Sequence, residues 1–142
     1  MPAFTLWTEQ QVLLAVVRGG WNERTALDYA EAFKAAAKPL LGDDWAHIVY
    51  LDDWQLGVPE IEPIVRGLVS WCLDSGLRHA AHVYSPNMVK QYQLNKMISD
   101  TIVLGPNEQF EKRVYHSDHD AFAWLNQLGF ATDSLNFQKK IA

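Results

Sequence analysis

The sequence lacks the features that define several large classes of protein. It holds one cysteine, Cys72, which excludes an intramolecular disulfide and a structural zinc site built on several thiolates. Its longest unbroken apolar run, residues 12–17, is six residues long, whereas about 20 are needed to span a bilayer. No basic residue precedes Arg18, and no long apolar stretch lies near the start. We therefore expect no secretory signal and a cytoplasmic protein.

Basic residues are also scarce. Twelve Lys and Arg stand against 17 Asp and Glu, which gives a net charge of −5. A nucleic acid or an anionic membrane surface needs a basic face, so this balance argues against both as partners. The glycine patterns G-x-G-x-x-G and G-x-x-x-x-G-K-[ST] are missing, which excludes nucleotide binding in a Gly-rich cradle. We expect no nucleic-acid partner, no stable membrane insertion and no cofactor.

What is present is typical of a globular domain. The chain has 142 residues, of which 49% are hydrophobic and 20% charged, enough for one self-sufficient core. We predict a single domain over residues 1–142, with a polar tail over residues 131–142 that is prone to fraying.

Strand and helix patterns alternate along the chain. Apolar runs rich in β-branched residues predict buried strands, and shorter patterns predict two more, which gives strands over residues 4–7, 12–17, 46–51, 78–84 and 112–116. Helical spacing and capping residues predict four helices, which begin near Asn22, near Val58, at Ser85 or Asn87, and near Ser117. Because strands joined by helices need crossover connections, the order predicts a mostly parallel α/β sheet of about five strands.

The sequence also allows a prediction for the third helix and for the segment that follows it. In the third helix, Met88, Tyr92 and Leu94 are predicted to face the core. Residues 98–111 carry little signal apart from a turn at Gly105.

Polar and aromatic side chains follow the ends of the predicted parallel strands. Ligands of open α/β sheets bind beyond those ends, so we predict a partner or ligand surface formed by Asp52, Asp53, Trp54, Trp21, Ser85, Asn87 and His116. Helix capping also explains Ser85 and Asn87. The two tryptophans lie in predicted loops, where packing over a helix end is the alternative to recognition.

The sequence gives little support to a catalytic triad. A triad of Asp52, Ser85 and His116 needs oxyanion donors, yet Pro86 removes the next backbone N–H and no G-x-S-x-G motif is present.

Metal binding has equally little support in the histidine pattern. His79 and His82 are three apart on a strand and point to opposite faces. His116 and His119, with Asp120, have the ligand types that zinc prefers, but an exposed turn with a capping role explains them as well. His47 is predicted to lie within the sheet, satisfied by a neighbour.

Four segments resemble a known family. Gly-Gly-Trp-Asn at residues 19–22, Leu-Asp-Asp-Trp-Gln-Leu-Gly-Val-Pro-Glu at 51–60, Trp71-Cys72 with Gly76, and Ala-Phe-Ala-Trp-Leu at 121–125 resemble the stand-alone SpoIIAA-like proteins. These small bacterial domains have a STAS-type fold that is grouped structurally with CRAL-TRIO lipid-binding domains. The resemblance covers residues 4–128 and implies a β/α superhelix with one sheet and helices beside it.

The resemblance also carries an expectation about regulation, which this sequence does not meet. Relatives that antagonise anti-sigma factors are switched by phosphorylation of a Ser or Thr at the start of the helix after residues 46–51. Residues 51–69 contain no Ser or Thr, and Asp52 and Asp53 occupy the region instead. A phosphorylation switch at that place is excluded, and a fixed negative charge that imitates it is the alternative.

Three functions follow as hypotheses. The leading one is a non-enzymatic regulatory domain that presents Asp52, Asp53 and Trp54 to a protein partner. The second is a carrier of a small apolar ligand or lipid, which requires an apolar cavity between helices and sheet. The third, an enzyme, lacks a reaction-specific constellation. The Trp and Phe counts are compatible with a homodimer and equally with a large core.

Overall fold

A computed structural model describes residues 2–131 and gives that part of the chain eight strands and four helices. The strands are β1 (Phe4–Glu9), β2 (Val12–Val17), β3 (Gly19–Trp21), β4 (Trp45–Tyr50), β5 (Trp54–Gly57), β6 (Leu77–Val83), β7 (Thr101–Gly105) and β8 (Glu108–Tyr115). The helices are α1 (Glu23–Ala37), α2 (Glu62–Asp74), α3 (Met88–Met97) and α4 (Asp118–Gln127). The tail predicted to fray lies, apart from its first residue, outside the described residues.

Six strands form one mixed sheet in the order β1-β2-β4-β6-β8-β7. The four inner strands are parallel to one another, and the outer strands β1 and β7 pair antiparallel with their neighbours. Every residue of β2 and β4 is buried, as expected for strands covered on both faces. The predicted mostly parallel α/β fold with four helices is confirmed, and residues 98–111 supply the sixth strand, β7, and the start of β8.

Helices cover both faces of the sheet. α1, α2 and α3 pack on one face through side chains such as Phe33, Cys72 and Met97. α4 covers the other face through Trp124 and Leu125. Three helices begin at side-chain caps, since Asn22, Asn87 and Ser117 each accept a hydrogen bond from a backbone N–H three residues on.

The predicted inner face of α3 is wrong at two positions. Met88 and Tyr92 are exposed, whereas Lys90, Leu94 and Met97 are buried. Residues 90, 94 and 97 share one side of a helix because they are four and three apart. The third predicted position, Leu94, is confirmed as buried.

The prediction that Trp21 and Trp54 lie in loops is wrong as well. β3 and β5 pair in a separate two-stranded parallel sheet, and both tryptophans are buried. The chain enters β3 directly after β2 by way of Gly19, whose φ of +75° is one that L side chains rarely adopt.

The inner strands end level with one another. Val16 is in register with Tyr50, Tyr50 with Val83, and Val83 with Tyr115. The loops that follow β4, β6 and β8 therefore start side by side at one edge of the sheet.

Candidate functional site

Level strand ends bring five predicted polar side chains to one edge of the sheet. The ladder continues one residue past the strands, since Leu51 N donates to Val83 O at 2.8 Å and Tyr84 N donates to Tyr115 O at 3.1 Å. All five side chains are exposed. We call them the strand-end rim: Asp52, Asp53, Ser85, Asn87 and His116.

Three of the five rim side chains, those of Asp52, Asn87 and His116, form hydrogen bonds to the backbone. Oδ1 of Asp52 accepts from Ser85 N at 2.7 Å, which joins the loop after β4 to the loop after β6. Nδ1 of His116 lies 2.9 Å from Tyr84 O and must carry the proton, because a carbonyl oxygen only accepts. A catalytic triad needs a carboxylate at that imidazole nitrogen, and here a backbone carbonyl takes its place.

Helix capping accounts for Asn87 but not for Ser85. Oδ1 of Asn87 accepts from Lys90 N at 3.0 Å and so caps α3. Ser85 does not begin a helix, and its backbone N–H is the donor to Asp52. The backbone oxygen of Asp53 accepts from Gly19 N at 2.9 Å, which ties the rim to β3.

A buried lysine fastens α3 to the rim. Nζ of Lys90 donates to Leu51 O at 2.6 Å and to Asp52 O at 3.2 Å. The same nitrogen lies 6.0 Å from the centre of the Tyr84 ring, within the range of a cation–π contact. The sequence analysis missed Lys90, although its spacing from Leu94 and Met97 marks the buried side of the helix once the aliphatic stem is counted as apolar.

Trp21 and Trp54 do not belong to the exposed rim. They lie beneath it, with their ring centres 6.5 Å apart, and Nε1 of Trp21 donates to Arg18 O at 2.9 Å. Both rings line a cavity of about 100 Å³ between the sheet and helices α1, α2 and α3. The cavity wall is apolar almost throughout; its lining includes Val17, Tyr29, Phe33, Val49, Leu68, Cys72, Leu94, Met97 and Phe110.

Two histidines of the central strands also line this cavity. Nδ1 of His47 donates to Leu13 O at 2.8 Å, as the prediction of a satisfied histidine within the sheet required. Burial lowers the pKa of His47 to about 4. Burial, the Lys112 ammonium and His47 lower the pKa of His82 well below its usual value. Both rings are therefore neutral at pH 7.

Two ring nitrogens of the lining are left without hydrogen bonds. Within residues 2–131, Nε1 of Trp54 and Nδ1 of His82 are buried and have no hydrogen-bond partner. His79, on the opposite face of β6, packs against Trp124 instead, with ring centres 5.7 Å apart. The prediction that His79 and His82 point to opposite faces is confirmed.

Residues 2–131 contain neither a cluster of metal-ligating side chains nor a helix suited to crossing a membrane. No cluster of three or more His, Cys, Asp or Glu side chains in that range is placed to hold a metal ion. At the turn that holds His116 and His119, Nδ1 of His119 lies 3.5 Å from Asp120, and both side chains are exposed. None of the helices described there combines the length and hydropathy that crossing a bilayer requires.

The fold is similar to that of a protein of known structure. The chain is similar to the crystal structure of an uncharacterized protein from the DUF3478 family with a SpoIIAA-like fold, from Shewanella loihica PV-4, with a TM-score of 0.58. The match covers 87% of this chain and 92% of the other at 11% sequence identity, so the likeness is one of fold. It confirms the SpoIIAA-like fold that the sequence resemblance predicts. No family model matches the sequence, and no curated protein does.

Proposed function

We propose that this chain is a non-enzymatic cytoplasmic binding domain that holds a small apolar molecule between its sheet and its helices. The cavity of about 100 Å³ is the observation that carries this proposal. Protein interiors are packed as densely as organic crystals, and an unfilled apolar void of this size costs about 2 kcal/mol. A bound ligand would remove that cost.

The size of the cavity limits the ligand. An engineered apolar cavity of about 150 Å³ takes up benzene, so a space of about 100 Å³ suits a single ring or a short chain after small side-chain adjustments. The acyl chain of a membrane lipid is larger. Of the two ligand classes that the CRAL-TRIO likeness implies, we therefore propose the small apolar ligand.

Native mass spectrometry of freshly purified protein tests this proposal. We expect the wild type to carry a small co-purifying molecule, or to take up added toluene. Ala80→Val adds two methyl groups to the cavity wall and should abolish the uptake. Its matched control, Ala81→Val, adds the same groups to the neighbouring residue of β6, which faces α4, and should leave the uptake intact. A wild type that carries and takes up nothing contradicts the proposal.

A second candidate is the regulatory role, with a protein partner on the strand-end rim. Met88, Val89 and Tyr92 favour it, because they are 86%, 63% and 67% exposed and follow Asn87 on α3. Clusters of exposed apolar side chains often mark interaction surfaces. Asp52 and Asp53 add acidic side chains in the loop after β4, ahead of the helix at whose start the relatives carry their phosphorylated residue.

Paired surface variants test this second candidate. Met88→Ser combined with Tyr92→Ser should abolish capture of the partner, or dissociate a homodimer in size-exclusion chromatography. Leu27→Ser, on the exposed side of α1, is the matched control and should keep the interaction. Equal binding by both variants would exclude the α3 surface.

A further inference from the structure

β7 is the outermost strand at one edge of the six-stranded sheet, and among residues 2–131 no strand lies beyond it. Asp100 O accepts a hydrogen bond from Lys112 N at 2.7 Å, which makes these two residues a hydrogen-bonded pair of the antiparallel ladder. Such pairs alternate with pairs that are not hydrogen-bonded. Ile102 therefore turns its N–H and C=O groups towards β8, whereas Thr101 and Val103 turn theirs outward.

The side chains of β7 lack the usual protection of a sheet edge. Edge strands of natural proteins commonly carry a charge or a proline, which hinders pairing with another chain. The five residues of β7, Thr-Ile-Val-Leu-Gly, include neither, and Val103 is 75% exposed. The opposite edge strand, β1, ends in Glu9, and Thr8 is its only exposed residue. Of the two edges, β7 is therefore the one suited to a further strand.

The geometry of β7 limits how far such pairing extends. The register with β8 shifts between Val103 and Gly105, which ends the regular ladder. Pro106 follows, and a proline has no backbone N–H to donate. The regular outer edge is thus confined to residues 101–103, so the pairing stops there and does not run on along the chain.

A second copy of this chain supplies a strand that matches this edge. When two β7 strands pair antiparallel about a two-fold axis at Ile102, Thr101 of one protomer lies opposite the partner's Val103. Both residues turn their N–H and C=O groups outward, so each of the two equivalent pairs exchanges two hydrogen bonds. Self-complementary contacts of this kind close into a dimer.

The side chains also match across this axis. Ile102 packs against the core on the side of α1, α2 and α3, beside Phe110 of β8. The two Ile102 side chains meet on that face and join the Phe110 rings of both protomers in one apolar row. Asp100 stands opposite the partner's Leu104, so no charged side chain faces another. Since each chain has a net charge of −5, an uncharged edge is the place where two copies approach with least repulsion.

We propose that two copies of this chain associate through β7 and form a dimer with one continuous sheet, to which each protomer contributes its six strands. Strand addition at a sheet edge derives its affinity from main-chain hydrogen bonds. Two short strands bury less surface than the about 1,600 Å² of a typical stable complex, so this dimer dissociates on dilution. The proposal does not depend on the apolar cavity or its ligand.

Analytical ultracentrifugation measures this association. We expect the wild type to change from monomer to dimer as its concentration rises from about 1 μM to about 1 mM. Val103→Lys places an ammonium group on the edge and should raise the dissociation constant at least about tenfold. Thr8→Lys is the matched control at the exposed position of β1, and it should leave the dissociation constant as in the wild type.

Opposite charges on the two protomers test the register. Thr101→Lys combined with Val103→Lys gives one variant, and Thr101→Glu combined with Val103→Glu gives the other. Each should be monomeric alone, because like charges then lie opposite each other across the axis. An equimolar mixture should form a heterodimer, since each lysine then faces a glutamate. Recovery in the mixture shows that both variants are folded, which separates lost pairing from lost folding.

Three results would overturn the proposal. The first is a wild type that stays monomeric at about 1 mM, even if an extended peptide binds the edge. The second is a dimer that Val103→Lys leaves intact, or that Thr8→Lys weakens equally. The third is a dimer that Met88→Ser combined with Tyr92→Ser dissociates while Val103→Lys does not, because that dimer uses the exposed surface of α3.

Discussion

Lys90 and Leu51, 39 residues apart in the sequence, are joined by a hydrogen bond of 2.6 Å from the ammonium nitrogen to the backbone oxygen. The bond fastens the first turn of α3 to the end of β4. Leu51 lines the apolar cavity, and the next residue, Asp52, belongs to the strand-end rim. The hydrogen bond therefore connects α3 to the segment that the cavity and the rim share.

Replacement of Lys90 should show how much this attachment contributes. We expect Lys90→Met to lower the free energy of unfolding by about 1–3 kcal/mol, since it removes charge-assisted hydrogen bonds to two carbonyl oxygens and keeps the apolar stem. Urea denaturation measures the loss. Lys38→Met, at an exposed position, is the control and should change stability by less than about 0.5 kcal/mol. Equal effects would mean that the attachment contributes nothing.

The two neighbouring aspartates of the rim should differ in their structural roles. Asp52→Ala removes the acceptor for Ser85 N and should cost about 1 kcal/mol. The side chain of Asp53 is exposed, and Asp53→Ala should stay within about 0.5 kcal/mol of the wild type. Thermal melts of the two variants make the comparison, and similar melting temperatures would argue against a structural role for Asp52.

Stability should fall as the pH is lowered from about 6.5 towards 4. His47 has a pKa of about 4 in the folded chain and about 6.5 when unfolded, so within that window the unfolded state binds the extra proton. The loss from His47 alone is about 2 kcal/mol at pH 5, and His82, whose pKa is also lowered, acts in the same direction.

Urea denaturation at pH 7 and pH 5 measures this dependence. His47→Asn cannot take up the proton and should show a correspondingly smaller loss between the two values. A wild type as stable at pH 5 as at pH 7 would contradict the assignment of neutral, buried histidines.

Two glycines should respond to alanine in opposite directions. A Cβ at Gly57 would overlap the side chain of Ile61, which is fully buried and lines the cavity, so Gly57→Ala should cost about 1–3 kcal/mol. A Cβ at Gly67 meets nothing within 4 Å. Because this position is within α2, Gly67→Ala should stabilise the chain by about 0.5–1 kcal/mol. Chemical denaturation distinguishes the two signs, and a stabilising Gly57→Ala would place Ile61 elsewhere.

Local sequence patterns were sufficient to predict the six-stranded sheet, apart from β7, and the strand-end rim. Buried strands such as β2 and β4 can be recognised in the sequence as nearly continuous apolar runs. Asn22 and Asn87 mark the starts of two helices. The general rule that parallel strands end at one edge then predicts that Asp52, Ser85 and His116 meet there. These features depend on residues close together in the chain, or on topology alone.

The features that form the cavity could not be predicted in this way. β3 and β5 are three and four residues long, too short for a periodic signal. Their pairing joins Gly19 to Trp54 and Trp21 to Gly57, which are 35 and 36 positions apart. The void itself depends on how side chains of three helices and several strands fill space. Because Trp54 is buried, Trp54→Ala should cost about 3–5 kcal/mol, whereas replacement of an exposed contact residue would cost little.

The most direct test of the central claim, an interior that accepts a small apolar guest, is a crystal structure of the chain under xenon pressure. Xenon enters apolar protein cavities without needing a polar partner, so it probes the space itself. We predict electron density for xenon between the sheet and α2 in the wild type, and its loss in Ala80→Val. A wild-type structure in which side chains fill this space and no xenon is bound would contradict the account.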